Sequence, residues 1–345
     1  MNDTTTPALV EARDLSVRYV TRRSAITNRP VQHLTGVDRV SLSLQRGQSY
    51  GLVGESGSGK STLGRALIRL EQIAEGSVHF DGRDITTLKG EALRRLRPRM
   101  QMIFQDPMGS LNPRQSIATI LGAPLRVHKL AGSPSEQRQR ISDTLDLVGL
   151  PSSVLTRYPH EFSGGQRQRI GIARAVIQQP DFIVADEPVS ALDVSVQAQI
   201  VNLLQDIKES LGLTSLVVAH DLAVVRHISD TVGVMYLGSV VEEAPSDELY
   251  AQPLHPYTRA LLSAAPVPDP ELEDTRERIV LSGEIPSPSA VHQGCRFASR
   301  CPVKKSERCD NERPELRLLV GKHRVACHWA EEFLPDTVSQ LRGAS

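Results

Sequence analysis

Nine residues near the N-terminal third carry the most specific chemistry. Gly54-Glu55-Ser56-Gly57-Ser58-Gly59-Lys60-Ser61-Thr62 fits G-x-x-x-x-G-K-[ST]. Glycines let backbone N–H groups close around phosphate oxygens, and a following helix N-terminus adds partial positive charge. In such a loop Lys60 reaches the β- and γ-phosphates and the Ser61 hydroxyl holds Mg²⁺. Further on, Phe182-Ile183-Val184-Ala185-Asp186-Glu187 is an apolar run ending in two acids. A buried strand delivers such carboxylates to its C-terminal end, where ligands sit in open α/β sheets. Asp186 is expected to serve Mg²⁺ and Glu187 to polarise the attacking water. Between them lies Phe162-Ser163-Gly164-Gly165-Gln166. Ser163 can cap a helix, and two glycines at its mouth leave N–H groups open to an anion. Alone, that motif is no more than a capped helix start.

The elements that must position these residues are read from periodicity. Leu9–Val20 alternates as a strand, and Thr21–Thr35 is polar and reads as a surface loop. Val40–Leu44 and Ser49–Val53 read as strands and Ser61–Leu70 as a helix. Ala118–His128, Ser135–Val148, Gln166–Gln179, Val194–Leu211 and Asp221–Ser229 read as helices, and Asp181–Ala185 and Thr214–Ala219 as strands. Alternating strands and helices predict a parallel sheet covered on both faces. The helical stretch around 108–165 reads as an insertion. From Ala265 to Ser289, Pro266, Pro268, Pro270, Pro286 and Pro288 break any long element, so a linker or extended arm is expected.

Composition narrows the classes. The 345 residues hold 40 Lys+Arg and 40 Asp+Glu, a balance that argues against a nucleic-acid holder. No apolar run is long enough to span a bilayer, and Met1–Asp14 is polar without the apolar core of a secretory signal. A membrane role is therefore expected to come through a partner. All four cysteines, Cys295, Cys301, Cys309 and Cys327, fall in the last 51 residues. That is not the pattern of a disulfide-stapled secreted protein, and a cytoplasmic home with a local cysteine site fits better. Their spacing, C-x5-C-x7-C-x17-C, lacks the close pairs of zinc ribbons. Four thiolates also suit a [4Fe–4S] cluster, and the nine Lys/Arg against four Asp/Glu in Cys295–His328 favour a negatively charged site. Zn²⁺ with His323 or His328 as a spare ligand, or four buried reduced thiols, are the alternatives.

Taken together, the phosphate loop, S-G-G-Q and the Asp-Glu strand resemble, in order and spacing, the ABC (ATP-binding cassette) ATPases. Phe162 stands where leucine is usual. The resemblance implies a P-loop α/β core of residues 9–264 with an antiparallel edge sheet and a helical subdomain at about 108–165, then a C-terminal extension, 265–345. It implies that Gln105 is the glutamine that meets Mg²⁺ or water, that Ser190-Ala191-Leu192-Asp193 is the loop facing the partner, that His220 touches the γ-phosphate and that Tyr19 stacks on adenine. Ser110–Arg114, Tyr158–Phe162, His255–Leu262 and the terminal cysteine pattern resemble the oligopeptide/dipeptide importer branch, whose members with this tail resemble cluster carriers. The implied protein is an ATP-hydrolysing subunit at the cytoplasmic face of the inner membrane. It would pair head to tail with a second ATPase subunit, identical or related, so that Ser163–Gln166 act on the partner's nucleotide. Two permease subunits and an extracytoplasmic binding protein complete the expected machine. An importer of another solute such as nickel, a soluble ABC ATPase and a nucleotide kinase are the competing classes. The last lacks S-G-G-Q and the histidine after the second strand.

Overall fold

The computed structural model describes residues 7–23, 30–265, 278–284, 286–287 and 293–334. Strands β1 (Val10–Arg23) and β2 (Pro30–Leu44) form a long antiparallel hairpin. Among its described residues the polar stretch expected as a loop is paired: Tyr19 faces Leu34, Val20 faces His33, and the ladder reaches Arg23 and Pro30. Antiparallel pairing satisfies backbone groups whatever the side chains are, so a paired strand end needs no apolar alternation. Strand β3 (Ser49–Val53) is buried throughout and leads into helix α1 (Lys60–Leu67).

Strands β4 (Glu75–Phe80) and β5 (Arg83–Asp84) join the hairpin in a four-stranded sheet of order β2-β1-β4-β5. After α2 (Gly90–Leu96) comes β6 (Met100–Ile103), then α3 (Pro107–Ser110), α4 (Ile117–Val127) and α5 (Pro134–Leu147). Ser116 and Ser133 cap α4 and α5 by accepting from the Thr119 and Glu136 N–H groups. Helix α6 (Gly164–Val176) returns the chain to β7 (Phe182–Asp186). Next come α7 (Val194–Leu211), closed by Gly212 at φ 60, β8 (Thr214–Val218), α8 (Leu222–Ile228), β9 (Thr231–Tyr236) and β10 (Ser239–Pro245).

Among the described residues the main sheet has eight strands. Its centre, β9-β3-β8-β7-β6, is parallel. Strands β3, β7 and β8 are buried along their whole length, as continuous apolar runs covered on both faces must be. The other end is antiparallel: β10 pairs with β9, and the tail adds β11 (Arg317–Val320) and β12 (His323–Val325) beyond β10. The C-terminal segment thus extends the main sheet, a continuation that no periodicity in the tail announced. Helices α9 (Ser246–Ala251) and α10 (Pro256–Ala264) precede the proline-rich stretch, whose described residues form neither helix nor strand. Pro266, Pro268, Pro270 and Pro288 lie outside the described residues. Separate apolar clusters lie under the helical insertion, between the edge sheet and α1, and where Tyr236, Tyr257 and Phe297 meet.

Candidate functional site

The loop Gly54–Gly59 leaves the end of β3 and wraps toward α1. Two of its glycines, Gly54 and Gly59, are required sterically. A Cβ on Gly54 would lie 2.2 Å from the Met235 carbonyl oxygen, and one on Gly59 2.1 Å from that of Gly36. Gly59 also holds φ 103, where side-chain-bearing residues are strained. Lys60 folds back over the loop, its Nζ donating to the Gly54 and Glu55 carbonyls at 2.8 and 2.9 Å. Burial lowers its pKa, while the charges of Glu187, Asp186 and Glu55 oppose that and favour the ammonium. Ser58 Oγ is buried without a hydrogen-bond partner among the described residues, and Ser56 and Gly57 are exposed.

The carboxylates expected at the strand end arrive there. Asp186, 1% exposed, accepts from Ser61 Oγ at 2.6 Å and from Arg65 at 3.3 Å. Glu187, the next residue, turns out of β7 with φ 46. Its Oε2 accepts from Gln105 Nε2 at 2.8 Å and lies 3.5 Å from His220 Nδ1. Residues from the ends of three neighbouring strands, β6, β7 and β8, therefore meet at one carboxylate. Tyr19 is half-buried, with its hydroxyl 3.4 Å from Thr62 Oγ1, beside the first turn of α1. Such a constellation can hold a polyphosphate on backbone amides and a lysine, and place a base and a histidine beside it.

S-G-G-Q stands apart. Ser163 caps α6 and accepts from the Gln166 N–H at 3.4 Å, while Gln166 Oε1 accepts from the Ser163 N–H at 3.1 Å. Ser163, Gly164 and Gln166 lie at the surface, and among the described residues no hydrogen bond or ion pair joins them to the phosphate loop. Phe162 is buried beneath, with the Arg157 guanidinium 4.4 Å from its ring centroid. Gly165 packs so closely on α7 that a Cβ would come within 2.5 Å of Val196. Asp193 caps the start of α7 by position, without a side-chain hydrogen bond to it.

The four cysteines line one apolar cavity with His328, Trp329 and Phe333. All are free thiols. Burial pushes Cys295 up to about 12 and Cys327 to about 11, and raises Cys301, so the thiol form dominates at neutral pH. Among the described residues no three His, Cys, Asp or Glu side chains form a metal-binding group. His323 is elsewhere: it is buried against Glu242, with Nε2 2.7 Å from Oε1, which removes it as a spare zinc ligand.

The family model for the ABC transporter matches residues 37–190, and that for the C-terminal region of oligopeptide/dipeptide transporters matches 241–309. The chain is 50% identical over 321 residues to the oligopeptide transport ATP-binding protein AppF of Bacillus subtilis, covering 93% of this chain and 97% of that protein. It belongs to the ABC transporter family of ATP-binding proteins. The oligopeptide transport ATP-binding protein OppF of Salmonella typhimurium is 49% identical, over 92% of this chain and 95% of its own. A dimeric ATP-binding cassette in a post-hydrolysis state, bound to ADP and Pi, superposes with a TM-score of 0.61 at 28% identity, covering 69% of this chain and 98% of that one. Like other ABC ATPases, the protein is an ATP hydrolase. Three contacts of this ABC site were invisible in the sequence. Arg65 reaches Asp186, the Glu55 N–H donates to the Tyr257 hydroxyl at 2.8 Å, and Arg300 grips Glu55. The last two link residues 202 and 245 positions apart, a separation at which no local pattern carries a signal.

Proposed function

We propose that this chain powers peptide import as the ATPase subunit of an ABC transporter at the cytoplasmic face of the membrane. The observation that carries the reading is one-sided completeness. Phosphate loop, Asp186, Glu187, Gln105 and His220 converge, whereas among the described residues no hydrogen bond or ion pair joins Ser163–Gln166 to that loop. A head-to-tail pair supplies the missing half, each chain offering its signature to the other's ATP. Lys60 and the loop from Gly54 to Thr62 hold the phosphates, Tyr19 the adenine, and Glu187 polarises water with His220 at the γ-phosphate. The donors Ser61, Asp186 and Gln105 are all oxygen-bearing and suit a hard cation, so these three would hold Mg²⁺. When bound, Mg²⁺ offsets phosphate charge. The unit runs from residue 9 to 264, with its helical subdomain near 108–165 and the tail at 265–345. Two permeases and a binding protein complete the assembly. Support for peptide cargo is the near full-length identity to proteins named for oligopeptide transport. Among the described residues no helix is long and apolar enough to cross a membrane.

For the tail the proposal is a [4Fe–4S] cluster on Cys295, Cys301, Cys309 and Cys327. Its support is the donor set, four thiols around one cavity, although they do not stand as a metal-binding group. Anaerobic purification with about four irons and four sulfides per chain, lost in Cys301→Ser, is the expected result, and metal-free folded protein overturns it.

The import reading is tested by co-expression with candidate permeases and their binding protein in vesicles. ATP-dependent peptide uptake that vanishes with Glu187→Gln is expected. Membrane recruitment with uptake of nickel and no peptide would overturn the cargo, and a chain that never associates with permeases would overturn transport.

A further inference from the structure

Glu55 is an acid inside a loop built for a polyphosphate. Its partner is Arg300, which donates from both terminal nitrogens to the two carboxylate oxygens at 2.8 and 3.1 Å. Such a two-pronged grip matches guanidinium to carboxylate in geometry and strength. The side chains are 8% and 25% exposed, so solvent and salt screen the pair weakly. Arg300 is held from behind. Its guanidinium lies 6.0 Å from the Tyr236 ring centroid, and its backbone N–H donates to the Phe297 carbonyl at 3.0 Å. Phe297 is buried between Tyr236 and Tyr257, with centroids at 5.3 and 5.4 Å. Tyr257 in turn accepts from the Glu55 N–H. A second arginine of the same turn, Arg296, reaches Asp38 and the Leu237 carbonyl, next to the Gly36 backbone that walls Gly59. The tail thus touches the phosphate loop through Glu55 and its wall through Asp38.

We propose that Arg300 is a positioning residue for the phosphate loop, neutralising the Glu55 carboxylate beside the incoming triphosphate and holding the first turn of the loop. This rests on the nucleotide reading above. An unpaired carboxylate there adds negative charge beside a triphosphate that stays anionic with Mg²⁺ bound, and in a half-buried site such repulsion is large enough to change affinity. The tail is then part of the ATP site. Its turn 296–300, flanked by Cys295 and Cys301, sets how well the loop accepts ATP.

Charge and packing predict different outcomes. With full-length protein, Mg-ATP affinity is measured by calorimetry at low and high salt. Arg300→Ala is expected to lose roughly tenfold at low salt and nearly as much at high salt, since the site is weakly screened. Glu55→Gln alone removes the charge that Arg300 offsets, and its measured affinity is the reference for the double variant. The double variant Arg300→Ala/Glu55→Gln is expected to regain most of the loss. Arg308→Ala, an exposed tail arginine paired with Glu312, serves as a control with unchanged affinity. A double variant no tighter than Arg300→Ala, or Arg300→Ala with wild-type affinity, overturns the proposal. Should Arg300→Ala not fold by circular dichroism, Arg300→Gln, which keeps the stem over Tyr236, carries the same comparison. Wild-type protein that binds no ATP would overturn the nucleotide reading and this proposal with it. Binding by wild type with no rescue would overturn this proposal alone.

Discussion

Glu187 occupies a left-handed backbone position that costs a residue with a Cβ about 1–3 kcal/mol. Its N–H donates to the Val218 carbonyl at 2.8 Å and its own carbonyl accepts from Ser190 Oγ at 3.1 Å, so β8 and the turn after β7 hold it there. The carboxylate is thereby turned toward Gln105 and His220 instead of continuing along the strand. Replacing it with glutamine keeps the shape and removes the carboxylate proposed to polarise water. Phosphate release by Glu187→Gln is expected to fall by about 100-fold or more while ATP binding, read by equilibrium titration, is retained. Lys60→Ala acts on the other quantity. It removes the lysine folded over the loop, and ATP affinity is expected to fall by roughly tenfold or more, leaving the melting temperature of the nucleotide-free protein nearly unchanged. Equal ATP affinity in wild type and Lys60→Ala would contradict the role of the loop.

At the scale of elements, α6 carries both a structural end and an exposed one. Phe162 anchors its N-terminus in the core of the helical insertion, together with Leu111, Ile117 and Leu121. Phe162→Ala is expected to cost about 3–5 kcal/mol in urea unfolding, as a large buried ring leaves a cavity. Phe162→Leu, which restores the usual residue of the family, is expected to cost less than about 1.5 kcal/mol. The exposed cap behaves differently. Ser163→Ala loses a hydrogen-bonded cap worth about 1 kcal/mol, but the paired enzyme is expected to lose far more activity than that stability loss explains. A Ser163→Ala enzyme with wild-type turnover would contradict the trans-acting signature.

The whole molecule is closed at its tail end by a buried polar knot. Glu242, fully buried, accepts from the Leu254 and His255 N–H groups at 2.6 and 3.0 Å and pairs with His323. His255, also buried, accepts at Nδ1 from the Tyr257 N–H at 3.1 Å. Burial drives its pKa down to about 4, with the Glu242 charge opposing. The unfolded chain takes up this proton near 6.5 and the folded one only near 4. Stability contributed by neutral His255 is therefore complete above about 6.5 and is lost as pH falls from there to about 4, by up to about 3 kcal/mol. Urea midpoints against pH should show that slope, and His255→Asn, a neutral cap, should flatten it. The knot also marks the boundary of what the amino-acid order reveals. Phosphate loop, strand-end acids and signature were legible because each is a contiguous run whose chemistry depends on its immediate neighbours. The parallel core was legible because β3, β7 and β8 are bounded apolar runs. Strands β4 to β6, the polar end of the first hairpin and the tail strands β11 and β12 were not, since their pairing is set by a partner strand and not by their own periodicity. Likewise nothing near Arg300 announces Glu55, nor does anything near His323 announce Glu242. The type of each chemical group was decided locally. Which groups meet was decided by folding, because pairing a buried charge depends on distance in space, and the chain brings residues 245 positions apart to within 2.8 Å.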